Sequence, residues 1–149
     1  MTLTRETSIG YLSNWAARLF TRAIERRLAP AGIATAYLPV LLALADGTAM
    51  TQKALAQHAA VEQPTMAATL KRMERDGLVQ RRPDPSDRRS ALVALTPLAS
   101  GQLDRVQTVV EQNNARAMAN LQPAEQQALL THLLQVIAAL EADEAAAQK

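Results

Sequence analysis

The chain has 149 residues, 48% of them hydrophobic, with 16 Lys and Arg against 14 Asp and Glu for a net charge of +2. That length and apolar content suit about one domain with a buried core, and the charge is too small to diagnose a partner. The absence of cysteine excludes disulfides, thiolate metal ligands, Cys nucleophiles and thiol switches, and the longest apolar run, residues 36–45, is about half a bilayer span. No basic segment followed by an apolar one opens the chain, so cytoplasm is the expected compartment, with no membrane partner.

Residues 8–28 repeat apolar side chains four apart in two adjacent rows, Tyr11, Trp15, Leu19, Ala23 and Leu12, Ala16, Phe20, Ile24, Leu28, which predicts a helix with one wide apolar stripe. Asn14, Arg18, Thr21 and Glu25 make its other side polar, and Pro30 and Gly32 stop it. Residues 36–45 are apolar almost all round and predict a buried second helix, in which Pro39 must occupy the first turn. Asp46-Gly47 closes it.

Thr51 suits an N-cap, with Leu55, Ala56 and Ala59 on one face of a helix ending near Ala60. A turn through Val61 and Glu62 leads to Pro64 at a first helical position, and the next helix runs to Asp76 before Gly77. Met66, Leu70 and Met73 form its inward face; Thr65, Ala68, Thr69, Arg72 and Arg75 are placed outward. Residues 78–82 and 90–95 can form strands, and the connector 83–89, with two prolines and two aspartates, predicts a β-hairpin. Thr96-Pro97 opens a helix whose rhythm of Leu103, Val106, Val110, Ala117 and Leu121 lasts to Gln122-Pro123. Leu129, Leu130, Leu133, Leu134, Ile137 and Leu140 then make a leucine-rich stripe, and residues 141–149 are expected to fray.

Charge is unevenly spread. Residues 51–90 carry eight Lys or Arg against five acids, a net of +3, whereas residues 91–149 carry three against six, a net of −3. Such a cluster suits a solvated face or a nucleic-acid footprint. A helix pair joined by a tight turn can place its second helix in the DNA major groove, and an arginine-bearing hairpin tip can enter the minor groove beside it. Two packed helices alone would be ordinary core; consecutive arginines on an exposed tip ask for a partner.

Over nearly its whole length the chain resembles MarR-family transcriptional regulators. The most specific part is PTMAATLKRMERDGLVQRRPDPSDRRSALVALT, similar to the family's pattern of Pro-Thr, Leu-x-Arg, a Glu before Gly-Leu-Val, Arg, and Asp-x-Arg before a Leu-Thr. The resemblance implies a mainly α fold with a small β-hairpin wing. Residues 1–149 would form one domain, with a winged helix-turn-helix lobe at 33–96 and helical dimerisation regions at 1–32 and 97–149 that intertwine with a partner chain. It implies a homodimeric, sequence-specific regulator of transcription, a repressor or an activator with repressor the first reading, on a pseudo-palindrome in double-stranded DNA with half-sites about 10 base pairs apart.

Carried over residue by residue, Gln63, Pro64, Thr65 and Thr69 would face bases and Arg72 a phosphate or the groove edge. Arg89 would be the minor-groove residue of the wing with Arg88 beside it, and Asp87 would pair within the wing and orient an arginine. Ala67 and Ala68 stand where some relatives place polar or basic readers, so hydrogen-bonded specificity rests on fewer side chains. Arg81 and Arg82 suit phosphate contacts or a solvated strand edge, and Lys53 and His58 suit backbone contacts or bare surface. MarR-like proteins commonly bind small aromatic or amphipathic acids, and Tyr11, Trp15, Arg18 and Tyr37 are the candidate effector pocket; Trp15 and Tyr37 also suit core or dimer interface. The alternative from another class is a helical protein-interaction module without DNA binding, docking through its leucine-rich helix. With His58 and His132 isolated, no Gly-rich loop and no paired carboxylates, neither an enzyme, a cofactor nor a metal site is expected.

Overall fold

A computed structural model describes residues 2–148. Ser8 starts helix α1 (Ile9–Leu28) by accepting a hydrogen bond from the Tyr11 amide at 3.2 Å, which satisfies one of the helix's orphan donors. A single 3-10 turn, Ala29–Ala31, and Gly32 at φ 74° reverse the chain. A second 3-10 turn, Thr35–Tyr37, leads into α2 (Leu38–Ala43), where Pro39 occupies the first turn as its chemistry demands. Leu38, Val40 and Leu41 of α2 are buried.

Met50 and Thr51 form a short strand, β1 (Met50–Thr51), that the sequence reading did not anticipate. It pairs antiparallel with β3 (Asp87–Leu95), Met50 opposite Val93 and Thr51 opposite Leu92. Thr51 also caps helix α3 (Gln52–Ala59), its Oγ1 accepting from the Ala54 amide at 3.1 Å. One residue thus ends a strand and begins a helix. Ala60 closes α3 in the left-handed region at φ 53°, and the Val61 amide donates to the Ala56 carbonyl at 3.0 Å. Helix α4 (Gln63–Arg75) follows, with Glu62 as N-cap, Pro64 in the first turn and Gly77 at φ 74° after its end.

The hairpin of β2 (Val79–Asp84) and β3 is longer than expected. Pairing continues past Arg82 opposite Leu92 to Pro83 opposite Ala91, and Asp84 then faces Asp87, so only Pro85 and Ser86 form the tip. Pro83 is tolerated because β2 is an edge of the sheet, whose order is β1-β3-β2. The register shifts between Pro83 and Asp84, which leaves Arg88, Arg89 and Ser90 as a bulge in β3.

Thr96 donates its hydroxyl to the Gly77 carbonyl at 2.6 Å and caps α5 (Pro97–Ser100) by accepting from the Ala99 amide at 3.3 Å. The single helix expected from Thr96 is interrupted at Gly101 and resumes as α6 (Leu103–Ala117). Helix α7 (Pro123–Ala147) begins where the Gln122 amide donates to Glu125 Oε2 at 2.7 Å. It continues to Ala147, through most of the stretch expected to fray, because Ala and Glu are strong helix formers.

The chain divides into two compact units, Met1–Glu111 and Gln112–Lys149, with the boundary inside α6. The first holds the hydrophobic core, which includes Leu28, Ile33, Leu41, Leu55, Leu70, Met73, Val93 and Val106. In the second, α7 exposes Leu129, Leu130, Leu134, Ile137 and Leu140. Among the described residues no helix is long and apolar enough to cross a membrane.

Ala60 is the only non-glycine residue with positive φ among those described. A left-handed alanine costs about 1–2 kcal/mol, partly offset by the greater freedom glycine gives the unfolded chain. Ala60→Gly is therefore expected to raise stability by about 0.5–1 kcal/mol, seen as a higher urea midpoint at unchanged slope. A lower midpoint would contradict the strain assigned to this turn.

Candidate nucleic-acid interface

Burial orients α4. Met66, Leu70 and Met73 are buried as their spacing requires, and the opposite face exposes Pro64, Thr65, Ala68, Lys71, Arg72 and Arg75, with Gln63 exposed at the N-terminal end. Thr69 departs from its expected place on the outward face. It is only 5% exposed, because it lies three residues after Met66 and four before Met73 and so falls on the inward stripe. That spacing was visible in the sequence; the polar hydroxyl drew it to the wrong face. Lys71, which no motif position marks, flanks Ala68 on the exposed face.

The C-terminal end of α4 is held by side chains from elsewhere in the same compact unit. Tyr37 donates its hydroxyl to Asp76 Oδ2 at 2.7 Å, Arg75 Nε donates to Asp76 Oδ1 at 3.1 Å, and the Arg72 guanidinium lies 5.8 Å from the centre of the Tyr37 ring. The Tyr37 hydroxyl, then Arg75, hold the Asp76 carboxyl below the usual carboxylate range. Burial, then the Asp76 carboxylate, push the Tyr37 hydroxyl above its ordinary value. Glu74 accepts from Arg81 Nε at 3.3 Å and ties α4 to β2, so Arg81 is engaged within the fold. Arg82 is exposed and makes no ion pair among the described residues.

The wing tip is built by two aspartates. Asp84 Oδ1 accepts from the Ser86 amide at 2.9 Å and from Ser86 Oγ at 2.7 Å, bonds that also lower the Asp84 pKa. Asp87 Oδ1 accepts from the Arg89 amide at 2.9 Å. Asp87 therefore bonds within the wing as expected, but to the backbone of an arginine and not to its guanidinium. Arg88 and Arg89 stand exposed in the bulge, with no ion pair among the described residues. A groove of about 680 Å³ runs between the wing and the start of the helix pair, and Lys53, Gln63, Arg81, Asp87 and Arg89 are among the residues lining it. Gln63 and Arg89, far apart in sequence, both line it. His58 is exposed, and no partner singles it out.

The four residues expected around an effector fall into three settings. Tyr11 meets Trp15 edge to face with ring centroids 6.4 Å apart, and Arg5 lies over Trp15 at 5.1 Å. Tyr37 is instead core, engaged with Asp76 and Arg72. Arg18 is exposed.

Because its carboxyl is held low in the fold, Asp76 contributes stability that is present above the ordinary unfolded carboxylate value and is lost as pH falls through the folded one. Urea unfolding between pH 7 and pH 3 is expected to show a steeper acid loss for the natural chain than for Asp76→Asn. Parallel curves would contradict the Tyr37–Asp76 contact.

The geometry is that of a helix pair with a basic exposed face and a wing whose bulge exposes two arginines beside the tip, and comparison with known proteins agrees. A model described as "MarR family" matches residues 31–90. YwoH of Bacillus subtilis, an uncharacterized HTH-type transcriptional regulator, is 31% identical over 123 residues, 83% of this chain and 88% of the relative. The HTH-type transcriptional repressor NicR of Pseudomonas putida is 29% identical over 129 residues, covering 87% of this chain and 82% of NicR. Reduced AbfR, solved bound to DNA, superposes with a TM-score of 0.70 at 25% identity over 89% of this chain and 91% of that one. The chain belongs to the MarR family of transcriptional regulators, as a DNA-binding winged-helix protein and not an enzyme.

Proposed function

We propose that the chain acts as a homodimeric repressor on a pseudo-palindromic operator, with α4 in the major groove and the wing in the adjacent minor groove. The observation that carries this reading is that Gln63, at the start of α4, and Arg89, in the wing bulge, line one groove. A helix N-terminus reaches base edges, and an exposed arginine beside a narrow hairpin tip fits the negative potential of the minor groove. Gln63, Pro64 and Thr65 then face bases, and Ala68 offers a methyl group to a thymine. Arg72, with Lys71 and Arg75 beside it, faces phosphates. Arg89 enters the minor groove with Arg88 next to it, and Asp87 supports the wing through the Arg89 amide. Thr69 takes no part, being buried.

Dimerisation is supported by the uncovered apolar face of α7, where Leu134 is 66% and Leu140 65% exposed. A folded chain seldom leaves such a stripe in water without a partner surface. Repression is supported by the likeness to NicR, a repressor. Release by a small aromatic or amphipathic acid would act through Tyr11, Trp15 and Arg18 and requires that the acid bind the DNA-competent and incompetent states unequally.

Arg89→Ala is expected to weaken binding to promoter DNA by about tenfold or more and to reduce the slope of log affinity against log salt by about 1. Fluorescence anisotropy at several salt concentrations measures both. Binding as tight as that of the natural chain would show the wing assignment to be wrong.

A further inference from the structure

Helix α4 is secured in three places. Met66, Leu70 and Met73 bury its inner face, Glu74 ties its side to Arg81 on β2, and Asp76 ties its end to Tyr37. The third tie differs from the others in what it connects. Tyr37 belongs to the 3-10 turn Thr35–Tyr37, which packs against α1, α2 and α4 and stands 39 residues before Asp76. Tyr37 is 3% exposed, so its hydroxyl has little access to water and needs a protein partner, and the carboxylate of Asp76 at the rim of the fold supplies one at 2.7 Å.

Asp76 is the C-cap of α4, and its second oxygen accepts from Arg75. The Arg72 cation lies over the same tyrosine ring. One buried phenol therefore organises the end of α4 and both basic side chains of its last turn. Core packing alone would need the ring and not the hydroxyl, since phenylalanine would fill the same space.

We propose that Tyr37 is a positioning residue for DNA recognition: through Asp76 and Arg72 it locks the end of α4 to the turn between α1 and α2 and so sets the angle at which α4 meets the groove. The proposal rests on the DNA-binding reading above. Because the same turn packs on α1, a displacement of α1 reaches α4 through this contact.

The test compares the natural chain with Tyr37→Phe, Asp76→Ala and the double variant. The probes are the duplex that the natural chain enriches from a random pool and a shuffled duplex of the same composition. Each single variant is expected to lower the ratio of the two affinities by about tenfold, the worth of one charge-assisted hydrogen bond. The double variant should lie no lower than either single one, because both remove the same contact. A merely structural role would reduce the folded fraction and weaken both duplexes alike, leaving the ratio untouched. Asp76 is solvent-exposed, so its variant stays informative even if Tyr37→Phe folds poorly. Enrichment by the natural chain with an unchanged ratio in the variants, or effects that multiply in the double variant, would overturn the proposal alone. A natural chain that enriches no sequence would overturn the DNA reading and this proposal with it.

Discussion

A helix of 13 residues is marginal by itself in water, so α4 owes its existence to the face it buries. Met66, Leu70 and Met73 are each worth about 1.5–3 kcal/mol when withdrawn from solvent, far more than any single exposed contact on the same helix. That burial fixes the rotation of α4 about its own axis. The residues available to DNA are therefore those left over once the core has been satisfied: Pro64, Thr65, Ala68, Lys71, Arg72 and Arg75, with Gln63 at the end. Thr69 shows the rule at work. Its hydroxyl suits base contact, but its position on the stripe does not allow it.

Two threonines transmit this constraint to the wing. Thr51 pairs with Leu92 in the sheet and caps α3 in the same residue, and Thr96 bonds the Gly77 carbonyl beyond the end of α4 while capping α5. The helix pair and the hairpin are thus pinned at both ends of the lobe. Asp84 and Asp87 then fix the tip from within, and the bulge presents Arg88 and Arg89 without an internal counter-ion among the described residues. A wing ordered in advance has less conformational freedom to lose on binding than a loose loop would.

Much of this was legible in the sequence because caps and turn residues act locally. Pro39, Thr51, Gly77 and Thr96 each mark a boundary by chemistry that needs no distant partner, and the structure places them where that chemistry suits. Features set by distant partners escaped. The strand at Met50–Thr51 exists only because β3 lies beside it, and pairing through Pro83 depends on β2 being an edge. The break at Gly101 escaped because an isolated glycine is tolerated within a helix. Within the candidate site, Arg89 and Gln63 could be named from motif position, but their shared groove could not. The Tyr37–Asp76 contact joins residues with no sequence relation: scarcity of aromatics marks Tyr37 as a core or effector residue, but neither reading names Asp76 as its partner.

In the proposed complex α4 and the wing engage adjacent grooves of one duplex, twice, as a dimer. Combined methylation and hydroxyl-radical protection on the duplex that the chain enriches tests it directly, reporting major-groove guanines and minor-groove sugars in turn. The expected pattern is two protected major-groove windows about 10 base pairs apart, each flanked by a protected minor groove. A single protected window, or major-groove protection without minor-groove flanks, would contradict it.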